Sequence, residues 1–375
     1  MERAGRRIYS NMESDLKVLM ISSDRNVATP GSPVSLRMEE YGKLVEELHI
    51  VLLSDKSHGI KEVKLGENVY IYPTNSALNL LRPIDAVRIG KKLVFEKKFV
   101  RGKSLITAQD MECAWAGLKV KRKWRIPLEV QMHTDISSPY FSGFQNKVRK
   151  FFAKNILKNA DSVRDVRTLP IYVEKEKIEN APVKFDLHTK YGWKFIMLTV
   201  SRLSPEKNLG LALEVLSEVR KKYPETGLVI VGSGPDENRL KILIKKLNLQ
   251  GFVEFAGWQE ELGSFYKTSN AFIQTSAFEG YGLSLVEAGL SLLPVLTTAV
   301  GIAKELQNGK DIYICNTKEE FAQRITELIE DNSKRENLKI NLKNYLESKL
   351  LSKADYMAQI KANWEKTANL LTSNS

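Results

Sequence analysis

Two kinds of apolar pattern alternate along this chain: short unbroken runs, and longer stretches in which apolar positions return every three or four residues. The alternation is clearest in the second half. KFIMLTVS (194–201) ends in the loop RLSPEKN, and LGLALEVLSEVRKK then sets Leu209, Ala212, Leu213, Leu216 and Val219 on one helical face. GLVIVG (227–232) follows as a buried strand, then GSGP, the helical ENRLKILIKKL, the strands FVEFAG and NAFIQTS, and LPVLTT (293–298). In the first half LKVLMISS (16–23), HIVLLS (49–54), NVYIYP, SLITAQ and LEVQMH read as strands, with no clean helical period between residues 70 and 130. Strands alternating with helices predict an α/β chain built on doubly wound parallel sheets. A last helix, SKADYMAQIKANWEKTANLL, aligns Met357, Ile360, Trp364 and Leu371 and is expected to return to the first domain.

Length turns this pattern into two domains, because 375 residues exceed one ordinary core. The polar, unpatterned stretch from Asn180 to Tyr191 reads as the linker. The division predicted is a first domain at 14–187 completed by the helix at 353–372, and a second domain at 188–352.

Composition removes several classes. No run approaches the ~18 apolar residues of a membrane span, and MERAGRRIYSNMESD lacks a secretory core. Cys113, Cys315 and four scattered histidines offer neither a disulfide framework nor zinc spacing. A cytoplasmic protein without a metal site or cofactor is expected. The charge of +12 is uneven, since residues 91–160 alone carry 16 basic and 5 acidic side chains. That imbalance suggests an anionic partner, although a merely solvated basic face would read the same way.

Candidate chemistry gathers where parallel strands end, the edge at which such sheets bind ligands. Arg202 and Lys207 follow the first strand of the second half, Gly232 and Gly234 the second, and Gly257 and Trp258 the third. Glu279, Gly280, Tyr281 and Gly282 follow the fourth, and Gly301 lies past the fifth. A guanidinium that forks two oxygens and a lysine as a point charge suit a diphosphate. Capping of carbonyls or pairing with Glu206 would explain the same cations. VGSGPDE is an incomplete dinucleotide fingerprint, with Glu237 at the third glycine position, which argues against nicotinamide. Glu287, inside the helix that starts near Leu283, suits the vicinal hydroxyls of a ribose, and Glu279 a sugar hydroxyl. The amides of Gly280, Tyr281, Gly282 and Leu283 open that helix as an anion site. The plainer alternative makes Glu287 a solvated helix acid and Glu279 a dipole partner. Together the residues describe a nucleotide-sugar site.

With these residues in place the sequence resembles the retaining glycosyltransferases of family 4. The likeness is carried by SRLSPEKNLGLAL, LVIVGSGPDENRL, VEFAGWQEELGSFYKTSNAFIQTSAFEGYGLSLVEAGLSLLPVLTT and AVGIAKEL, most of residues 196–306, with R-x4-K paired to E-x7-E. It implies the GT-B fold, two Rossmann-like domains facing a cleft, with the C-terminal helix returning to the first. By resemblance Arg202 and Lys207 hold the diphosphate, Glu287 the ribose and Glu279 the transferred sugar, while Gly257 and Trp258 border the base. In the first half Gly31 matches the cleft loop and His133 a position near the sugar, although a histidine after a strand is also an ordinary core residue. Arg167 stands where the family commonly has serine. The activity implied is a metal-independent hexosyltransferase that moves a sugar from a nucleoside-diphosphate sugar to a glycan or lipid-linked hydroxyl with retention. A non-catalytic nucleotide-sugar binder and an epimerase are the alternatives; a nucleic-acid binder would leave Glu279 and Glu287 unexplained. Within the basic segment, QNKVRKFFAKNILKNA sets Lys147, Lys150, Lys154 and Lys158 on one helical face and Val148, Phe151, Phe152 and Ile156 on another. That predicts either a face resting peripherally on anionic membrane or a solvated helix whose phenylalanines belong to the core.

Overall fold

Aliphatic runs become strands where both of their faces can be covered. In the computed structural model, which describes residues 14–132, 144–165, 169 and 172–370, this happens in two separate sheets. The chain divides into a unit of residues 1–169 with 352–375 and a unit of residues 170–351.

The first unit contains β1 (Lys17–Ser22), α1 (Pro33–Gly42), β2 (Glu47–Leu52), β3 (Val63–Leu65), β4 (Val69–Pro73), α2 (Arg82–Glu96), β5 (Ser104–Gln109), α3 (Asp110–Trp124), β6 (Leu128–Met132), α4 (Phe144–Asn159) and β7 (Ser162–Asp165). Its sheet runs β3-β4-β2-β1-β5-β6-β7, parallel except for β3 against β4. Val18 is in register with Leu48 on one side and Leu105 on the other. One face is covered by α2, α3 and α4, whose Leu93, Val94, Ala114, Val120 and Ile156 pack on Leu19, Ile21, Ile106 and Val130. The region without a helical period thus holds two helices. In α3 the buried side is largely Cys113, Ala114, Ala116 and Gly117, small residues that seat a helix without writing a strong apolar stripe.

The second unit contains α5 (Lys175–Glu179), α6 (Leu187–Tyr191), β8 (Phe195–Val200), α7 (Leu209–Arg220), β9 (Thr226–Val231), α8 (Glu237–Lys246), β10 (Val253–Gly257), α9 (Gly263–Lys267), β11 (Ala271–Gln274), α10 (Leu283–Leu290), β12 (Val295–Thr297), β13 (Tyr313–Ile314), α11 (Lys318–Glu330) and α12 (Asn332–Lys349). Its sheet is parallel throughout, in the order β10-β9-β8-β11-β12-β13. The predicted face of α7 is the buried one, against Met197, Leu228 and Ile230. The stretch read as a linker belongs to this unit instead. Asp186 caps α6 by accepting from the Thr189 amide at 2.8 Å, the Lys184 amide donates to Ser264 Oγ at 2.7 Å, and Lys267 Nζ donates to the carbonyls of Glu179 and Ala181 at 2.6 Å. Its polarity serves caps and side chain–backbone bonds, so the division falls near residue 170.

The final helix, α13 (Lys353–Asn369), completes the first unit. Met357, Ile360 and Trp364 of the predicted stripe are buried, while Leu371 lies outside the described residues. Trp364 meets the Tyr41 ring edge-on at 5.5 Å, and the hydroxyls of Tyr41 and Tyr356 are 3.2 Å apart. Asn363 Nδ2 donates to Glu129 Oε2 at 2.8 Å; the fully buried Glu129 also accepts from Thr107 Oγ1 at 3.0 Å and lies 3.4 Å from Arg164 Nε. Trp364→Ala should destabilise this unit by roughly 3–5 kcal/mol, as large-to-small changes of buried tryptophan do. Urea unfolding measures it, and a loss under about 1 kcal/mol would show that the helix is not anchored there.

Candidate active site

The loops after β8 and β9 lie so close that side chains cannot pass between them. A Cβ on Gly232 (φ 130°) would stand 2.0 Å from the Ser201 carbonyl oxygen, and one on Gly234 would stand 2.3 Å from that of Leu203. The loops are then joined by backbone bonds, Leu203 N–H to Ser233 O at 3.0 Å and Asp236 N–H to Leu203 O at 3.0 Å. Glycine is required here by space as much as by conformation. Beside the join opens a groove of about 380 Å³, lined by Arg202, Gly232, Ser233, Gly234, Trp258 and Gln259 among others. Arg202 is exposed, and no carboxylate among the described residues lies within salt-bridge distance of it. Trp258 is likewise exposed at the rim, and Gly257, at the end of β10, accepts from the Gly232 amide at 2.7 Å.

A second join connects the β8 loop to the β11 loop through charge. Lys207 Nζ donates to both carboxylate oxygens of Glu279 at 2.8 Å, and Ser276 Oγ donates to Glu279 Oε1 at 2.7 Å. Both partners are largely buried. Lys207, read from the sequence as a phosphate-facing charge, is therefore committed in part to Glu279. The ammonium has three donors, so a third direction remains beyond the two carboxylate oxygens. Thr275 Oγ1 donates to the carbonyls of Lys207 and Asn208, and the Ala277 amide to that of Glu206, which fixes the backbone around the pair.

The turn Glu279–Gly282 passes through Gly280 and the buried Tyr281 to Gly282 at φ 100°, which leads into α10 at the exposed Leu283. Tyr281 O accepts from the Ile302 amide at 2.7 Å. One turn into α10, Glu287 accepts from the buried Tyr266 hydroxyl at 2.8 Å. Burial raises the proton affinity of Glu287 above the usual carboxylate range, and the Tyr266 bond acts against that rise. Beneath the turn, the carboxamide of buried Gln274 has no partner among the described residues, and its Nε2 is 3.9 Å from where a Gly282 Cβ would be.

The second unit thus brings together Lys207 with Glu279, and Arg202 with Gly232, Gly234 and Trp258. Gly31 belongs to the first unit, in the loop after β1, at φ 81° with open space around it. His133 and Arg167 lie outside the described residues. Tyr266, Ser276 and Gln274 were not singled out by sequence reading. An isolated tyrosine, serine or glutamine in an apolar run gives no signal of which carboxylate or turn it will meet.

Glu287 makes the pH dependence of stability testable. A carboxyl that holds its proton more tightly when folded loses stability as pH rises through the carboxylate range, because ionisation is easier in the unfolded chain. Glu287→Gln should therefore melt above the parent at pH 7, with the advantage vanishing near pH 4. An equal difference at both pH values would contradict the burial argument.

Residues 182–345 match the family model described as glycosyl transferases group 1. Alpha-monoglucosyldiacylglycerol synthase of Acholeplasma laidlawii is 31% identical over 139 residues, which span 35% of this chain and 34% of that protein. Amylovoran biosynthesis glycosyltransferase AmsD of Erwinia amylovora is 23% identical over 322 residues, 81% of this chain and 89% of that protein. The chain spans about a third of the length of the first curated relatives it matches. Anabaena HepE, solved in complex with UDP and glucose, has a TM-score of 0.66 at 19% identity over 94% of this chain and 100% of that one, a likeness of fold. Residues 182–345 are thus a glycosyl transferases group 1 segment, within a chain whose two sheets, parallel but for β3, give it the GT-B architecture.

Proposed function

We propose that this chain transfers a hexose from a nucleoside-diphosphate sugar to an acceptor hydroxyl, with retention of anomeric configuration and without a metal. One observation carries the reading: an exposed arginine on a groove, a largely buried lysine–carboxylate pair and a half-buried ribose-suited carboxylate are set along the ligand edge of one parallel sheet. Arg202 forks the diphosphate, and Lys207, oriented by Glu279, adds its remaining donor. As the glycosidic bond breaks, negative charge grows on the leaving diphosphate, and these cations with the amides at the start of α10 stabilise it. Glu287, held by Tyr266, takes the ribose hydroxyls; Glu279 faces the sugar. Retention follows if the acceptor attacks from the face the diphosphate leaves, with the departing phosphate taking the hydroxyl proton.

A panel of UDP-, GDP- and ADP-sugars in a thermal-shift assay identifies the donor, and transfer is then measured with it. Arg202→Ala should lower turnover on the order of 10²–10³-fold. Glu287→Ala should weaken nucleotide binding by about one to two orders of magnitude, the worth of a charge-assisted hydrogen bond. EDTA should leave transfer unchanged; loss restored by magnesium would overturn the metal-free reading.

The acceptor side points to membrane. No described helix is long and apolar enough to cross one. On α4, however, Phe151 is 71% and Phe152 55% exposed, beside Lys150, Lys154 and Lys158, while Ile156 is buried. These phenylalanines are therefore not core; Lys147 and Val148 have side chains outside the described residues. We infer a peripheral protein of the cytoplasmic membrane face acting on a lipid-linked acceptor, a reading supported by the name of the Acholeplasma laidlawii relative. Each basic residue at an anionic surface adds about 1 kcal/mol. Sedimentation with anionic vesicles should fall at high salt and in Lys150→Glu/Lys154→Glu. Equal recovery with neutral vesicles would point to a soluble acceptor.

A further inference from the structure

Most polar side chains around the end of β11 are bonded within the fold. Thr275 holds the carbonyls of Lys207 and Asn208, Ser276 and Lys207 hold Glu279, and Tyr266 holds Glu287. Gln274 is not. It is the last residue of β11 and 4% exposed, yet neither Oε1 nor Nε2 of its carboxamide has a partner among the described residues. A buried amide without partners costs stability that an apolar side chain of like volume would not, so a glutamine here asks for a reason. The strand sets its direction. Phe272, on the same face of β11, lies beside Tyr266 with ring centroids 6.1 Å apart, so this face looks toward α9. Abreast of Gln274 on β12 is Thr297, whose hydroxyl donates to the Thr298 carbonyl instead. The carboxamide reaches to Gly282, the N-cap of α10. A Cβ on Gly282 would meet nothing closer than Ile302 Cγ2 at 3.8 Å, with Gln274 Nε2 and Leu285 Cβ at 3.9 Å. A methyl-sized space therefore adjoins Gly282, and of these three neighbours only the unpaired amide is polar. The Leu283 and Ser284 amides that open α10 also lack an acceptor among the described residues, so the space lies at the helix end that the proposed mechanism gives to the leaving group.

An amide with both its oxygen and its nitrogen unpaired suits a group that donates and accepts at once. A diphosphate only accepts, and it would set oxygen against Oε1. A sugar hydroxyl does both. Glu287 takes the ribose hydroxyls in the reading above, which leaves those of the transferred sugar, the part of the donor that Glu279 faces. We propose that Gln274 is a specificity-determining residue of the donor site, its carboxamide bonding a hydroxyl of the transferred hexose beside Gly282. The hydroxyl oxygen stands about 1 Å nearer to Nε2 than the Cβ position does, at ordinary hydrogen-bond length. Because the amide is already out of water, these bonds form without others being lost first. The proposal rests on the glycosyltransferase reading and adds to it the side chain that tests the sugar's hydroxyl pattern.

Calorimetric titration of the full chain with UDP-glucose, GDP-mannose and ADP-glucose, each against its free nucleotide, gives the sugar's share of affinity as a ratio. In Gln274→Leu that ratio should fall on the order of tenfold, while the free nucleotide binds as before. The melting temperature should stay at or above the parent's, since a buried unpaired group is removed. Monodeoxy forms of the donor that binds locate the hydroxyl: one should bind the parent about tenfold more weakly than the intact donor, and Gln274→Leu equally well. Gln274→Met, unbranched like the parent, repeats the comparison with a different packing. A ratio that neither substitution changes overturns the proposal while leaving the donor site intact. Melting well below the parent in both variants would show a carboxamide bonded within the fold, and overturns it as well. If the parent binds none of these nucleotides or sugar nucleotides, the donor reading fails and the proposal with it.

Discussion

Parallel strands cannot be joined by hairpins. Each connection must leave the sheet, cross one face as a helix and re-enter at the opposite end, so every strand finishes on the same edge. In the second unit this brings the loops after β8, β9, β10 and β11 to one edge, where the backbones of the β8 and β9 loops approach until only Gly232 and Gly234 fit. The groove beside them follows from the close approach, because carbonyls and amides that face each other leave no side chain to fill the space. Sheet order thus determines where a ligand can sit before any charged residue is considered.

Charge is distributed over that edge unequally. Lys207 and Glu279 largely neutralise each other in a place where either alone would be costly to bury. Glu287 is half-buried against the neutral, buried Tyr266, which orients one oxygen without offering a counter-charge. Arg202 alone of the four stands in solvent at the groove. Of these four side chains, one cation is therefore open to solvent while the other three are held by partners in fixed positions.

The first unit places buried charge differently. Glu129, without solvent exposure, is met by Thr107, Arg164 and Asn363, and the last of these comes from a helix more than two hundred residues later in the chain. Truncating one member would leave a charge without its partners, so the polar cluster and Trp364 together hold α13 to this unit. Its outer helices carry the opposite design, with cations and aromatic rings left in water on α2 and α4.

By itself the sequence determined what is local in period. The strands other than the short β3, β7 and β13, the buried face of α7, the stripe of Met357, Ile360 and Trp364, and the set of charged and glycine positions at strand ends all follow from residue type and spacing along a few turns of chain. It misread residues 180–191 as a linker because a polar segment looks the same whether its groups meet water or cap neighbouring backbone. It left α3 unseen because Ala114, Ala116 and Gly117 bury by being small. Tertiary structure alone decided that Lys207 meets Glu279 across 72 residues, that Tyr266 rather than solvent meets Glu287, and that Phe151 and Phe152 face outward while Ile156 faces in. Such pairings depend on which loops the crossovers bring together and on which side of a helix its neighbour covers. No window of sequence contains either, because both are set by contacts between residues distant along the chain.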